Sequence, residues 1–115
     1  MTHYHPQLAA GRWQKFSLIE QMANVGSEVG RILRCRKEDS EAAEQAFGHA
    51  LELLDLTIQD ARWQGRRREL ARVRELLCSA IVGNEAQGTA LADLDQYFLE
   101  FAIAARQKGT VDFKG

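Results

Sequence analysis

One proline, Pro6, stands near the start of the 115-residue chain, and none of the 109 residues that follow it is a proline. Proline inside a helix removes a hydrogen bond and clashes with the preceding turn, so a long stretch without proline favours long helices. The chain is also 45% hydrophobic and 27% charged, which is typical of a folded globular protein and not of a disordered one. At this length one hydrophobic core is sufficient. We therefore expect a single all-α domain.

Apolar residues recur at three- and four-residue spacing in four segments, which is the period of amphipathic helices. In chain order, these segments are residues 13–37, 41–63, 67–82 and 89–107. The connections between them are short, so the predicted fold is an antiparallel up-down-up-down four-helix bundle. Residues 1–12 and 108–115 are expected to be tails on either side of the bundle.

Two glycines lie inside the first predicted helix, at Gly26 and Gly30. Each costs a helix about 1 kcal/mol relative to alanine. A neighbouring helix that approaches closely would compensate for this cost, because glycine has no side chain to hold the two backbones apart. We expect a close helix–helix contact there.

Several apolar residues lie outside the stripes that would face a four-helix core on a helical wheel. A second apolar face on several helices favours contact between subunits, so we expect a homo-oligomer. Scattered exposed apolar residues without any function are the alternative, since they are common on protein surfaces. The predicted interface residues are Trp13, Phe16, Leu53, Leu56, Leu99 and Ile103.

The net charge of -1 argues against a protein that binds nucleic acid with its whole surface. The charges are nevertheless sorted along the chain, and residues 62–74 carry six arginines against the single acid Glu69. An antiparallel bundle would gather this block at one end, together with Arg12, Lys15 and Arg106. The predicted anion-binding or nucleic-acid-binding residues are Arg62, Trp63, Arg66, Arg67, Arg68 and Arg72.

Three of these arginines, Arg66, Arg67 and Arg68, stand at the start of a predicted helix, where the helix dipole disfavours cations. Arginine beside tryptophan also suits stacking on nucleobases. This pattern indicates a non-catalytic adaptor that presents an arginine-rich end to nucleic acid or to an acidic protein. A solvated charged face with no ligand is one alternative. A module that binds only proteins, through the apolar residues outside the core, is another.

Motifs for catalysis or for a resident cofactor are missing from the sequence. Di-iron bundles need Glu-x-x-His on two helices, but Ala46 stands three residues before His49. Cys35 and Cys78 lack the paired spacing of a zinc site, and no glycine-rich phosphate loop follows a strand. We therefore expect a non-enzyme without metal or cofactor. An enzyme with an active site assembled between subunits is the alternative, although no motif indicates one. Residues 1–11 lack a signal-peptide pattern, and no apolar run is long enough to span a membrane, so we expect a cytoplasmic protein.

Four segments within residues 13–107 carry a family resemblance: EQMANVGSEVGRIL (20–33), ALELLDLTIQD (50–60), RRELARVRELL (67–77) and DLDQYFLEFAIAAR (93–106). In this order they resemble a family of small bacterial four-helix-bundle proteins. That family includes the accessory variability proteins of diversity-generating retroelements and the proteins encoded in intervening sequences of ribosomal RNA genes. The likeness is strongest to a branch of conserved hypothetical cytosolic proteins.

The resemblance implies a ring-like homo-oligomer, a homopentamer with five bundles around a central axis, and a non-enzymatic role. The retroelement members of the family bind a reverse transcriptase and nucleic acid through a strongly basic surface. This chain differs from them in its net charge of -1 and in the collection of its basic residues at one end.

Overall fold

The computed structural model describes residues 11–83 and 87–107, and it describes side chains in the second range from residue 90 onward. Over these ranges the chain forms helices and no strand. The four α-helices are α1 (Leu18–Cys35), α2 (Ser40–Gln59), α3 (Arg67–Val82) and α4 (Gln87–Gln107). Helix α1 packs most extensively against α2 and α4, and α3 packs against the same two helices. The arrangement is compatible with the predicted four-helix bundle. The predicted tails lie almost entirely outside the described residues.

Helix α1 begins five residues later than the sequence predicted. Ser17 is extended, its hydroxyl accepts a hydrogen bond from the backbone N–H of Glu20 at 3.1 Å, and the Glu20 carboxylate accepts from the N–H of Ser17 at 2.8 Å. This reciprocal pair is a capping box, which sets where a helix starts. The preceding residues form a separate 3₁₀ helix, Arg12–Lys15, after Gly11, whose φ of 120° favours glycine.

Helix α2 ends earlier than predicted, at Gln59. Asp39 caps its start by accepting from the N–H of Ala42 at 3.0 Å. At the other end Asp60 is extended, and its carboxylate accepts from the N–H of Arg62 at 3.0 Å. This contact starts a second 3₁₀ helix, Ala61–Arg66, which leads directly into α3. The predicted boundary at residue 63 is therefore wrong by four residues, because Asp60 redirects the chain.

Three of the predicted interface residues belong to the core of the single chain. Trp13, Leu53 and Leu56 are 1%, 3% and 7% exposed, and half-buried Phe16 packs against the same core. The two leucines are buried because α2 contacts both α1 and α3, so its buried sector is wider than one helical stripe. Of the six predicted interface residues, Leu99 and Ile103 remain exposed, each at 45%.

The close approach predicted from the glycines occurs between α1 and α4. A Cβ atom built on Gly26 would lie 2.6 Å from Cβ of Phe98, which is shorter than any normal contact. Phe98 is itself 1% exposed, so it has little room to move. A Cβ atom on Gly30 would instead lie 3.4 Å from the ends of the Arg34 and Asp95 side chains. Gly26 is therefore a position where α1 and α4 approach too closely for a side chain on α1.

Candidate functional site

A buried hydrogen-bonded network lies at the end of the bundle where α1 begins and α2 finishes. The indole N–H of Trp13 donates to Oγ1 of Thr57 at 2.9 Å. The Thr57 hydroxyl donates in turn to the carbonyl oxygen of Leu53 at 2.9 Å. Thr57 is fully buried, so both contacts satisfy polar groups that water cannot reach. They fix the first 3₁₀ helix against α2.

Gln21 is the centre of the network. Its amide nitrogen donates to the carbonyl oxygen of Trp13 at 2.9 Å and to Oδ2 of Asp60 at 3.2 Å. Its amide oxygen accepts from the indole N–H of Trp63 at 2.8 Å. The side chain is 0% exposed and uses three hydrogen bonds to join three separate segments. A buried amide with this many partners specifies one arrangement of these segments.

Asp60 and Arg62 form the charged part of the network. The guanidinium donates from Nε to Oδ1 at 3.0 Å and from Nη2 to Oδ2 at 2.7 Å, a two-point contact. Nη2 also donates to the carbonyl oxygen of Phe16 at 2.7 Å, and the guanidinium carbon lies 4.5 Å from the centroid of the Trp63 ring. The hydrogen bond from Arg62, more than any other contact, lowers the pKa of Asp60 from 3.8 to about 2. The same bond raises the pKa of Arg62.

Because the pKa of Asp60 is lowered, part of the free energy of unfolding depends on pH. A carboxyl whose pKa is lower in the folded state stabilises the fold above its unfolded pKa, and loses this contribution as the pH falls through the folded value. We expect Asp60 to contribute about 1–2 kcal/mol above pH 4, after allowance for solvent screening at the partly exposed Arg62. This contribution should disappear as the pH falls from 3.8 towards 2.

Urea unfolding at a series of pH values from about 6 down to about 2 measures this effect, because this range runs from above the unfolded pKa of Asp60 to its folded pKa. Asp60→Asn keeps the shape of the side chain but does not titrate. The free energy of unfolding of this variant should be lower than that of the wild type near neutral pH and should fall less steeply in acid. Parallel pH profiles for the two proteins would contradict the assignment.

The structure divides the six predicted anion-binding residues into two groups. Arg62, which is exposed, and Trp63, which is half-buried, belong to the hydrogen-bonded network described above. Arg67 donates from Nε to the carbonyl oxygen of Ile58 at 2.9 Å, which satisfies a carbonyl near the end of α2. These three side chains therefore hold the end of the bundle together, a role that their sequence pattern did not reveal.

The other three predicted residues, Arg66, Arg68 and Arg72, extend into solvent, and we call them the arginine surface. Arg66 pairs with Glu69 at 2.9 Å, and Arg72 pairs with Glu75 at 3.5 Å. Both pairs are well exposed, so they hold their partners weakly. Arg68 forms no hydrogen bond or ion pair with any residue that the structure describes. The arginine surface therefore has one guanidinium without a partner in the described chain and two with exchangeable partners.

Two further contacts position α3, which carries the arginine surface. Arg74 makes a two-point contact with Asp55 on α2, at 2.8 Å and 3.3 Å, and this contact raises the pKa of Arg74. The hydroxyl of Tyr97 on α4 donates to Glu69 at 3.0 Å. Burial, followed by the contact with Glu69, raises the pKa of Tyr97 to about 12. Helix α3 is therefore tied by polar contacts to both of its neighbours.

The burial of the polar residues Gln21, Thr57 and Asp60 was not predicted from the sequence. A signal for two of them was present, because Gln21 directly precedes Met22, and Thr57 lies between Leu54 and Ile58, in apolar stripes. A polar residue within such a stripe is buried with a partner or marks an error in the stripe. The side-chain partners that join them to other segments lie 39 to 44 residues away along the chain, so spacing alone does not identify these partners.

Within residues 11–83 and 87–107, no group of three His, Cys, Asp or Glu side chains is placed to hold a metal ion. Cys35 and Cys78 are free and half-buried. None of the described helices is long and apolar enough to cross a membrane. Comparison of the chain with models of protein families, with curated proteins and with solved structures gives no match. The resemblance to the retroelement and ribosomal intervening-sequence family therefore stays a prediction from the sequence.

Proposed function

We propose that this protein is a non-catalytic adaptor whose arginine surface binds a polyanion, and that the polyanion is structured nucleic acid. The observation that carries the proposal is the exposure of three arginines at the start of α3, Arg66, Arg68 and Arg72, with Arg68 lacking any partner among the described residues. Phosphate groups pair well with guanidinium groups through two-point hydrogen bonds. Such contacts dominate the affinity of most proteins for nucleic acid.

The position of these arginines in the helix supports a ligand role. Arg66 and Arg68 stand at the N-terminal end of α3, where the positive end of the helix dipole makes cations unfavourable. Arg68 and Arg72 are one helical turn apart, which separates them by about 6 Å along the axis. An anionic ligand would relieve the repulsion within this cluster.

The buried network supports the same proposal by making the surface rigid. The 3₁₀ helix before α3 is held by Asp60, Arg62 and Trp63, and the start of α3 is held by Arg67. A binding surface that is already ordered loses less conformational entropy when a ligand binds. Arg62 and Arg67 therefore contribute to binding indirectly, by fixing the positions of the residues of the arginine surface.

We also propose that several copies assemble, as the exposed Leu99 and Ile103 favour, with the homopentamer implied by the family resemblance as one arrangement. Joining several arginine surfaces in one particle would raise the apparent affinity for a long polyanion without any new contact. A role limited to protein–protein interaction is the second candidate function, and the same two exposed residues favour it.

Fluorescence anisotropy with a labelled, structured RNA tests the nucleic-acid proposal. We expect Arg68→Ala/Arg72→Ala to weaken binding about tenfold or more at low salt, because two phosphate contacts are lost. The slope of log affinity against log salt concentration should fall by about 2. Thermal melts should be unchanged, since both side chains are exposed.

The matched control is Arg36→Ala/Lys37→Ala, which removes the same charge at the opposite end of the bundle, where α1 meets α2. This variant should bind the RNA within about twofold of the wild type, because distant charges are screened. An equal loss in both variants would indicate a net-charge effect and contradict a localised site. Unchanged binding in the Arg68/Arg72 variant would contradict the arginine surface itself.

A further inference from the structure

A cleft of about 360 Å³ lies between α1 and α4, outside the arginine surface. Its α1 side is lined by the small residues Ala23, Gly26, Ser27 and Gly30, so the backbone itself forms much of the floor. Its α4 side includes Leu99, which is 45% exposed. Ile103, also 45% exposed, follows one turn later on the same helix. An apolar ridge therefore runs beside a groove that is lined by small residues on its α1 side.

Charged residues of opposite sign stand at the two ends of this ridge. Asp95 lines the cleft one turn before Leu99, and Arg106 lines it about one turn after Ile103. Neither forms an ion pair within the described residues. Arg34 of α1 also lines the cleft near Asp95, without an ion pair between them among the described contacts. Along α4 the ridge and its two ends therefore have the order acidic, apolar, apolar and basic.

This order is self-complementary when a second copy of α4 runs antiparallel to the first. A two-fold axis near residue 101 places Leu99 of one copy opposite Ile103 of the other. The same axis places Asp95 opposite Arg106, and each contact occurs twice. A two-fold interface uses the same patch on both subunits, and such a patch must complement itself in this way.

We infer that a second copy of this chain docks on the cleft, with the two α4 helices antiparallel and their apolar ridges seated in the glycine-lined grooves. The order of the charges favours a second copy as the occupant, because an unrelated partner would not need the acidic and basic ends to match each other. This inference rests on the oligomeric part of the proposed function and specifies it. It predicts a two-fold pair, in which both copies use the same patch, and not the five-fold ring, in which two different patches meet.

A charge exchange tests the pairing. Wild-type protein at micromolar concentration should show by light scattering a mass of twice the 13.0 kDa chain. Asp95→Arg should raise the dissociation constant of the dimer about tenfold or more, because it places two arginines opposite each other. Adding Arg106→Asp to that variant should restore the dissociation constant to within about threefold of the wild type, because the pair is re-formed with its signs exchanged.

Asp93→Arg is the matched control, since Asp93 lies on the opposite side of α4, in the groove against α3. It should leave the dimer unchanged. Ile103→Glu is a second test of the ridge, and it should give a monomer with unchanged helix content by circular dichroism. A wild-type mass of one chain or of five chains would overturn the pairing, as would equal dissociation in the single and double charge variants. RNA binding is measured separately, on the wild type and on the Ile103→Glu variant. A failure of the dimer interface and a failure of the arginine surface therefore give different results.

Discussion

Replacing Trp13 by alanine should destabilise the fold by about 3–5 kcal/mol, the usual cost of truncating a buried aromatic side chain. Trp13 is 1% exposed, packs against Phe16 with ring centroids 5.6 Å apart, and donates to Thr57. Alanine would remove this packing and leave the Thr57 hydroxyl oxygen without its donor. Urea unfolding followed by circular dichroism measures the change in free energy.

Trp13→Phe provides the control for this experiment. Phenylalanine keeps much of the apolar volume but loses the indole hydrogen bond, so a smaller cost of about 1–3 kcal/mol is expected. Leu99→Ala, at an exposed position, should change the stability of the monomer by about 0.5 kcal/mol or less. If Trp13→Ala lowered only the mass of the oligomer and left monomer stability unchanged, Trp13 would be an interface residue, as the helical wheel first indicated.

Gly26→Ala is expected to cost about 1–3 kcal/mol, although alanine is the better helix former. The added methyl group would lie 2.6 Å from Cβ of Phe98, and that atom is held by its own backbone. Helices α1 and α4 would have to separate, which would disturb the packing along their whole contact. The change should appear as a lower denaturation midpoint in urea, measured at a protein concentration that gives monomers.

Gly30→Ala is the natural comparison, because it lies one turn away on the same helix. Its methyl group would lie 3.4 Å from the ends of two flexible side chains, Arg34 and Asp95. These ends can move, so the gain in helix propensity should dominate, and stability should stay the same or rise by up to about 1 kcal/mol. Equal losses at both glycines would argue against a localised close contact and for a general intolerance of side chains on this face.

The arginine block shows how much of a candidate site can be predicted from a sequence. Its placement at one end of the molecule follows from helix periodicity and antiparallel order. Which of its arginines hold the fold together and which remain available to a ligand does not follow, because it depends on where each guanidinium finds an acceptor. Arg62 reaches the backbone of Phe16, and Arg67 reaches the backbone of Ile58. Carbonyl groups are present at every residue, so no sequence pattern indicates which of them is within reach.

The positions of the apolar residues that lie outside the predicted core stripes could also be predicted only in part. Exposure of Leu99 and Ile103 follows from their position on the helical wheel, because α4 has a solvent-facing side there. Burial of Leu53 and Leu56 does not follow, since it requires a second helix against the flank of α2. A wheel describes one helix, whereas the width of its buried sector is decided by the number and the angles of its neighbours.

The sequence by itself determined the helical character of the chain, through its lack of proline after Pro6 and its apolar period, and it contains the local signals at Ser17 and Asp39 that start two helices. These features involve residues within one or two turns of each other, so they are readable along the chain. The tertiary structure alone decided that Trp13, Gln21 and Asp60 would meet. Contacts between distant segments depend on the final packing of the helices, and a single sequence does not encode them in any local pattern.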